Sequence, residues 1–271
     1  MLTVSIVLYK TSTEHIRQIL ASLAKTTTKI QLYVIDNSPT NELLNSLSTN
    51  LPLKYIHMPN NPGFGIAHNV AIREAQSLGS EFHLVLNADV RFDSDVLTPM
   101  LTYMKMHPEV GQMMPRILNP DGSLQRLCKL VPTPFDLLLR RFSSRKNREA
   151  NNYFFELHDS GYNKIMFVPY LSGCFMLLRH SALKEIGLFD ERFFMYPEDI
   201  DLTRRMAEHY ETIFYPNASV IHEHGAASHK SIRMFLIHVI NICKYFNKWG
   251  WLYDPVRDKL NRKTVEQFNV I

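Results

Sequence analysis

Phe82-His83-Leu84-Val85-Leu86-Asn87-Ala88-Asp89-Val90 is the stretch that decides the fold. A short, largely apolar run that breaks into Asn-Ala-Asp is the pattern of a buried strand whose end leaves the sheet. An acid placed there can hold a metal. Similar runs lie upstream, at residues 4–9, at residues 32–35 before the turn Asp36-Asn37-Ser38-Pro39, and more weakly at residues 53–57. Between them Thr11-Ser12-Thr13-Glu14 reads as a capping box, followed by Ile16, Ile19, Leu20 and Leu23 at helical spacing. After Asn60-Asn61-Pro62-Gly63, a second helical pattern carries Ala67, Val70, Ala71, Ala75 and Leu78. Strands alternating with helices predict an α/β fold, a Rossmann-like, mostly parallel central sheet with helices on both faces.

Residues 115–165 lose this rhythm. Pro115, Pro120, Pro132, Pro134 and the basic run at 140–148 predict a flexible insertion or flap. Order resumes near residue 166, and a helix is expected from about 199 to 209, then strands around 213–215 and 219–221. The resulting division is a catalytic domain over 1–230 and a C-terminal amphipathic helical extension over 231–271. Within the domain, 1–115 forms one half, 115–165 the flap and 166–230 the other half. In the extension, residues 232–240 suit a core-packing helix, while Lys244, Tyr245, Phe246, Lys248, Trp249 and Trp251 suit a bilayer interface.

Composition narrows the function classes. The chain has 271 residues, 45% of them hydrophobic and 21% charged, ordinary values for a globular protein. A net charge of +4 is too mild to argue for a nucleic-acid partner. Three cysteines leave one unpaired and predict no disulfide framework. The N-terminus reads as a strand rather than a signal peptide, and no apolar stretch reaches the ~18 residues of a spanning helix. The expectation is a cytoplasmic protein, at most peripheral at the inner face of the membrane.

In open α/β sheets ligands bind beyond the carboxyl ends of the strands. Tyr9, Asp36, Asn87-Ala88-Asp89 and His222 all sit at such ends. Gly63 and Gly65 with Asn61 form a turn into a helix N-terminus, a natural anion site. Glu198 and Asp199 open a helix, where the dipole favours the ionised carboxylate that a general base requires. Asp36 is equally readable as an Asx-turn acid capping Ser38, and the acids at 198–201 as partners of the dipole and of Arg204 and Arg205.

Taken in order, Ser5-Ile6-Val7-Leu8-Tyr9, Val34-Ile35-Asp36-Asn37-Ser38, Asn61-Pro62-Gly63-Phe64-Gly65 with Asn69, and Leu86-Asn87-Ala88-Asp89 resemble the nucleotide-sugar half of a family 2 glycosyltransferase of GT-A fold. Ser172-Gly173-Cys174-Phe175-Met176, Gly187-Leu188-Phe189-Asp190, Phe194 through Leu202 and His222-Glu223-His224-Gly225 resemble its acceptor half. The pattern is most similar to bacterial rhamnosyltransferases of surface-polysaccharide assembly. That resemblance implies nucleotide-sugar contacts at Tyr9, Asp36, Asn61, Gly63, Gly65, Asn69, Asn87 and Asp89, with Asp36 on a uracil or thymine. It implies acceptor contacts at Ser172 and Gly173, Asp199 as the base with Glu198 in support, and Mg2+ or Mn2+ held by Asp89 and His222, with His224 the competing ligand. The family's Asp-x-Asp has Asn87 at its first position here, which removes one negative charge from the metal site. The expected reaction is a single inverting displacement that moves a sugar, rhamnose from dTDP-rhamnose first, to a glycan or lipid-linked saccharide. A UDP-hexose donor, and a nucleotide-sugar-binding protein without turnover, are the alternatives.

Overall fold

A computed structural model describes residues 1–139, 145–223 and 232–268. The first half follows the expected alternation: β1 (Leu2–Leu8), α1 (Thr13–Leu23), β2 (Ile30–Asp36), β3 (Leu53–His57), α2 (Phe64–Ser77), β4 (Phe82–Asn87), β5 (Val90–Arg91), α3 (Leu97–Met106) and β6 (Val110–Leu118). The second half comprises β7 (Cys128–Lys129), α4 (Arg145–Phe155), β8 (Met166–Phe167), β9 (Tyr170–Leu171), β10 (Phe175–Arg179), α5 (His180–Ile186), α6 (Glu198–His209), β11 (Glu211–His222), α7 (Ile232–Trp249) and α8 (Pro255–Glu266).

The main sheet runs β3-β2-β1-β4-β10-β6-β11-β5, with β8 paired to β11. Its first four strands are parallel. Strand β10 runs antiparallel to both β4 and β6, so the sheet is mixed, while β1, β2, β3, β4, β6 and β11 share one direction as expected. An apolar run specifies burial but not direction, and the long excursion between β6 and β10 lets the chain re-enter from the other end. Alternate strand residues feed two cores. On one face Val4, Ile6, Leu84 and Leu86 meet α1 through Ile16 and Leu20 and α3 through Leu97 and Met100. On the other, Val85, Met176 and Leu178 meet α2, α5 and α6 through Ile72, Leu183, Leu202 and Met206.

Local details depart from the sequence reading in instructive ways. The N-cap of α1 is Ser12, whose hydroxyl accepts from His15 N–H, while Glu14 turns instead to Arg17 and Gln18. The two expected strands near residues 213 and 219 are one strand, β11, with an irregularity between Tyr215 and Ser219 that accommodates Pro216. The described part of 115–165 is not a loose flap. Leu130, Phe155, Leu157 and Tyr162 are buried in the main core, and the Tyr162 hydroxyl donates to the carbonyls of Cys128 and Glu156. Prolines broke the periodic pattern without preventing burial. Part of the basic run, residues 140–144, lies outside the described residues.

Helices α7 and α8 lock onto α6. Arg204 makes a bidentate pair with Asp254, both buried, at 2.6 Å for each bond. Lys248 reaches Asp190 and Asp201, and the Trp249 indole N–H donates to Asp201. Ile242, Tyr245 and Phe246 pack with Phe193 and Ile200. The expectation for α7 is thereby reversed. Its second half packs against the core, because the lysine and tryptophan that suited a bilayer find buried carboxylates, while Leu236 and Ile240 in its first half are exposed.

Candidate active site

Beyond the carboxyl ends of β1, β2 and β4 lies a cleft of about 740 Å³. Its polar side is built by Tyr9, Lys10, His15, Asn37, Asn61 and Asp89, and its apolar side by Phe64, Phe194, Met195, Met234 and Ile237. Three cleft residues, Lys10, Asn61 and Tyr196, hold left-handed backbone conformations with φ of 50°, 43° and 60°. Asparagine tolerates that region, but lysine and tyrosine pay for it in strain, and such strain concentrates at functional sites.

Of the residues expected to meet a nucleotide sugar, Tyr9, Asn61, Asn87 and Asp89 line this cleft. Asp36 does not. It is fully buried, with one oxygen accepting Ser38 N–H at 2.9 Å and the other the Tyr55 hydroxyl at 2.7 Å. The Asx-turn reading describes its side chain, and the neighbouring Asn37 faces the cleft instead. Asn69 is also turned away, its amide clamped to the backbone N–H and carbonyl of Phe189. Gly65 serves packing, since a Cβ there would press on Phe189. Gly63 has φ +106° and passes so close to the Phe194 carbonyl that any side chain would overlap it. That carbonyl accepts Phe64 N–H at 3.0 Å, so the first N–H of α2 is taken by the chain itself.

At the end of β4, Asp89 Oδ1 lies 3.4 Å from Nε2 of His222, on the last residue of β11. Gln125 fixes the imidazole: its amide N–H donates to the His222 carbonyl at 2.6 Å, and its oxygen faces Nδ1 at 2.9 Å. Nδ1 is therefore the protonated nitrogen, and Nε2 is presented to Asp89. One carboxylate and one imidazole aimed at a common point fit Mn2+ or Mg2+ of the kind completed by substrate phosphates. Among the described residues no group of three or more His, Cys, Asp or Glu forms a closed metal cage. His224 lies outside the described residues. Beside this pair Glu223 bridges His15 and Arg91, and its N–H donates to the Asp89 carbonyl.

The second acid pair opens α6 immediately after Tyr196-Pro197. Asp199 is half-buried, its carboxylate accepting Gly173 N–H at 3.0 Å and Ile200 N–H at 2.8 Å. Burial nevertheless holds its pKa above the ordinary aspartate value, against those two bonds and the nearby Lys129. Glu198 is buried, and desolvation, reinforced by the charge of Asp199, pushes its carboxyl well up. The helix dipole was expected to keep this pair ionised. Burial outweighs it and shifts Glu198 toward its neutral form. Ser172 and Gly173, expected at the acceptor, form the turn that grips Asp199; the next residue, Cys174, accepts Asn87 N–H at 3.0 Å. The Cys174 thiol is pushed up to about 12 by burial, with further contributions from both Asp89 and Asp199; of these two acids only Asp89 lines the cleft.

Several cleft residues carried no motif in the sequence: Lys10, His15, Asn37, Met234 and Ile237. Lys10 and Asn37 lie just past β1 and β2, Asn37 within the quoted Asp36-Asn37-Ser38 run, and position after a strand end was the available signal; His15 lies in the first turn of α1. The last two come from α7 and have no sequence signal of their own.

Residues 3–187 match the profile of glycosyl transferase family 2. The chain belongs to that family. It is a glycosyltransferase. It is 28% identical over 269 residues to the N-acetylglucosaminyl-diphospho-decaprenol L-rhamnosyltransferase of Mycobacterium tuberculosis, covering 90% of this chain and 84% of that one. It is 27% identical over 208 residues to the low-salt glycan biosynthesis hexosyltransferase Agl10 of Haloferax volcanii, covering 75% of this chain and 61% of that one. Among solved structures, the mannosyltransferase PcManGT of Pyrobaculum calidifontis, in complex with GDP-Man and Mn2+, shares the fold. The TM-score is 0.61 at 15% identity, over 97% of this chain and 68% of that one.

Proposed function

We propose that this glycosyltransferase transfers rhamnose from dTDP-rhamnose to a lipid-linked saccharide in cell-surface glycan synthesis, with inversion at the anomeric carbon. The donor and acceptor classes are supported by the similarity to the mycobacterial rhamnosyltransferase along nearly the whole chain. The single observation that carries the chemistry is Asp199. It is fixed by two backbone N–H groups, has its basicity raised by burial, and sits on the turn that also fastens the end of β4. A carboxylate whose pKa is raised toward neutrality is a better proton acceptor than a fully solvated one.

The acceptor hydroxyl gives its proton to Asp199 as its oxygen forms the new bond to the anomeric carbon. The bond from that carbon to the diphosphate oxygen breaks in the same step, so the configuration inverts and no enzyme nucleophile is needed. Glu198, whose carboxyl burial shifts toward its neutral form, supports Asp199 from the adjacent position. Asp89 and His222 would hold Mg2+ or Mn2+, which when bound neutralises charge on the departing diphosphate. Tyr9, Asn37 and Asn61 orient the nucleoside, and Asn87 the ribose or sugar.

The test is incubation with dTDP-rhamnose, UDP-hexoses and GDP-mannose plus Mn2+, using a short-chain N-acetylglucosaminyl diphosphate lipid as acceptor. Product mass and anomeric configuration are read out. A β-configured donor giving an α-linked product is expected; retention, or product only from a UDP-hexose, rejects the corresponding part. Asp199→Asn should lower turnover by about 10²–10⁴-fold while nucleotide binding, followed by thermal shift, persists. Undiminished turnover would remove Asp199 from the mechanism.

A further inference from the structure

The turn between α7 and α8 reads Trp251-Leu252-Tyr253, and it projects from the protein: Leu252 is 92% and Tyr253 81% exposed. Burying leucine stabilises a protein by about 1.5–3 kcal/mol, so a fully solvated one beside two aromatic rings is a standing cost. The rest of the turn is held by specific contacts. Trp251 rests on Phe246 with ring centroids 5.2 Å apart and donates its N–H to Asn247, and Gly250 takes the φ of +101° that turns the chain. On α7 the outward stripe leading to this turn carries Leu236 and Ile240, 53% and 54% exposed, then Lys244 and Asn247.

Charge accompanies the apolar surface. Residues 232–271 contain seven Lys or Arg against three Asp or Glu, a surplus equal to the +4 of the entire chain. Two of these cations, Lys259 and Arg262, are exposed three residues apart on α8, which begins two residues beyond the turn. Trp, Tyr and Leu at a tip flanked by Lys and Arg suit the headgroup boundary of a bilayer, where rings sit among the headgroups and cations meet anionic lipid. The same helix that bears the outward stripe sends Met234 and Ile237 into the cleft, so the apolar surface continues to its mouth.

We infer that the α7–α8 turn, Trp251-Leu252-Tyr253 with Leu236, Ile240, Lys259 and Arg262, is a docking surface for an anionic membrane. Its occupant is the lipid surface itself. Docking there presents the cleft to an acceptor held by its lipid tail, which deepens the reading given above and rests on it only for that purpose.

The full chain is sedimented with vesicles of phosphatidylcholine alone and of equal parts phosphatidylglycerol and phosphatidylcholine, without donor, acceptor or metal. Failure here leaves glycosyl transfer untouched, and failure of transfer leaves vesicle binding intact. Binding to the mixed vesicles only, weakened by salt, is expected. Leu252→Ser with Tyr253→Ser should weaken it at least about tenfold. Lys259→Glu with Arg262→Glu should do so by a similar factor at low salt. Circular dichroism and melting temperature should stay at wild-type values, since the four side chains are solvated. No binding by the wild type, equal binding to both vesicles, or wild-type binding by the Leu252/Tyr253 variant overturns the proposal. So does a wild-type dimer that this variant dissolves, which would assign the turn to a second copy of the chain.

Discussion

The two halves that flank the cleft bury polar groups in opposite ways. Under α2 the buried polar chain is neutral. The Ser5 hydroxyl lies 2.6 Å from His68 and 2.8 Å from His83, whose other nitrogen meets Thr3. Burial lowers the His68 pKa to about 3 and that of His180 to about 4, and drives His83 well down. Around α6 the buried chain is ionic, Arg204 with Asp254, and Lys248 and Arg205 with Asp201. A neutral network loses less than an ionic one when a partner is deleted, but is exposed to protonation. An ionic one tolerates mild acid but not the deletion of one charge. The β4 side, which carries Asp89, rests on the first kind, and the α6 side, which carries Asp199, on the second.

The largest expected effect comes from deleting one charge. Asp254→Ala leaves Arg204 buried and uncompensated and should cost about 3–5 kcal/mol in chemical denaturation. A loss below about 1 kcal/mol would mean that the ionic lattice is dispensable.

Acid separates the halves next. Each buried histidine binds a proton more readily unfolded, at its ordinary 6.5, than folded. Stability should therefore be full above pH 6.5 and fall as pH drops, by on the order of 2 kcal/mol per histidine at pH 5. Asp190, held well below the usual carboxylate range by Arg192, by Lys248 and by the Arg192 backbone N–H despite its partial burial, adds its own loss only in stronger acid. A melting temperature that is flat from pH 7 to 5 would break the comparison. His68→Gln should flatten part of the slope.

A smaller effect is expected where the halves meet. Gly63→Ala forces a side chain into the space of the Phe194 carbonyl at a left-handed φ, and should cost about 1–3 kcal/mol and weaken nucleotide binding. Wild-type stability would show that the loop moves aside freely. The smallest effect belongs to Glu198→Gln. It copies the neutral carboxyl toward which burial shifts Glu198, so the melting temperature should hold or rise slightly; a drop equivalent to more than about 1 kcal/mol would mean that the ionised form is the stable one.

Much of this was legible in the sequence, for identifiable reasons. Strands β1, β2 and β4 are near-continuous apolar runs, and burial on both faces leaves little other reading. The strand ends that build the cleft followed from them. The direction of β10 was not legible, because strand polarity is set by the path of the connecting chain. Asp36 and Asn69 sit at the expected places along the chain, yet their side chains face Tyr55 and Phe189, a choice made by partners remote in sequence. Composition described α7 fairly but assigned its halves the wrong way round, since Lys248 and Trp249 were drawn inward by Asp201.

Consecutive residues of one short turn hold both sides of the site: Gly173 grips Asp199, and Cys174 grips the strand end at Asn87. A single peptide unit thus acts as a gauge block between the start of α6 and the end of β4. The walls of the hollow can be recut by substitution while the distance between those two elements stays set.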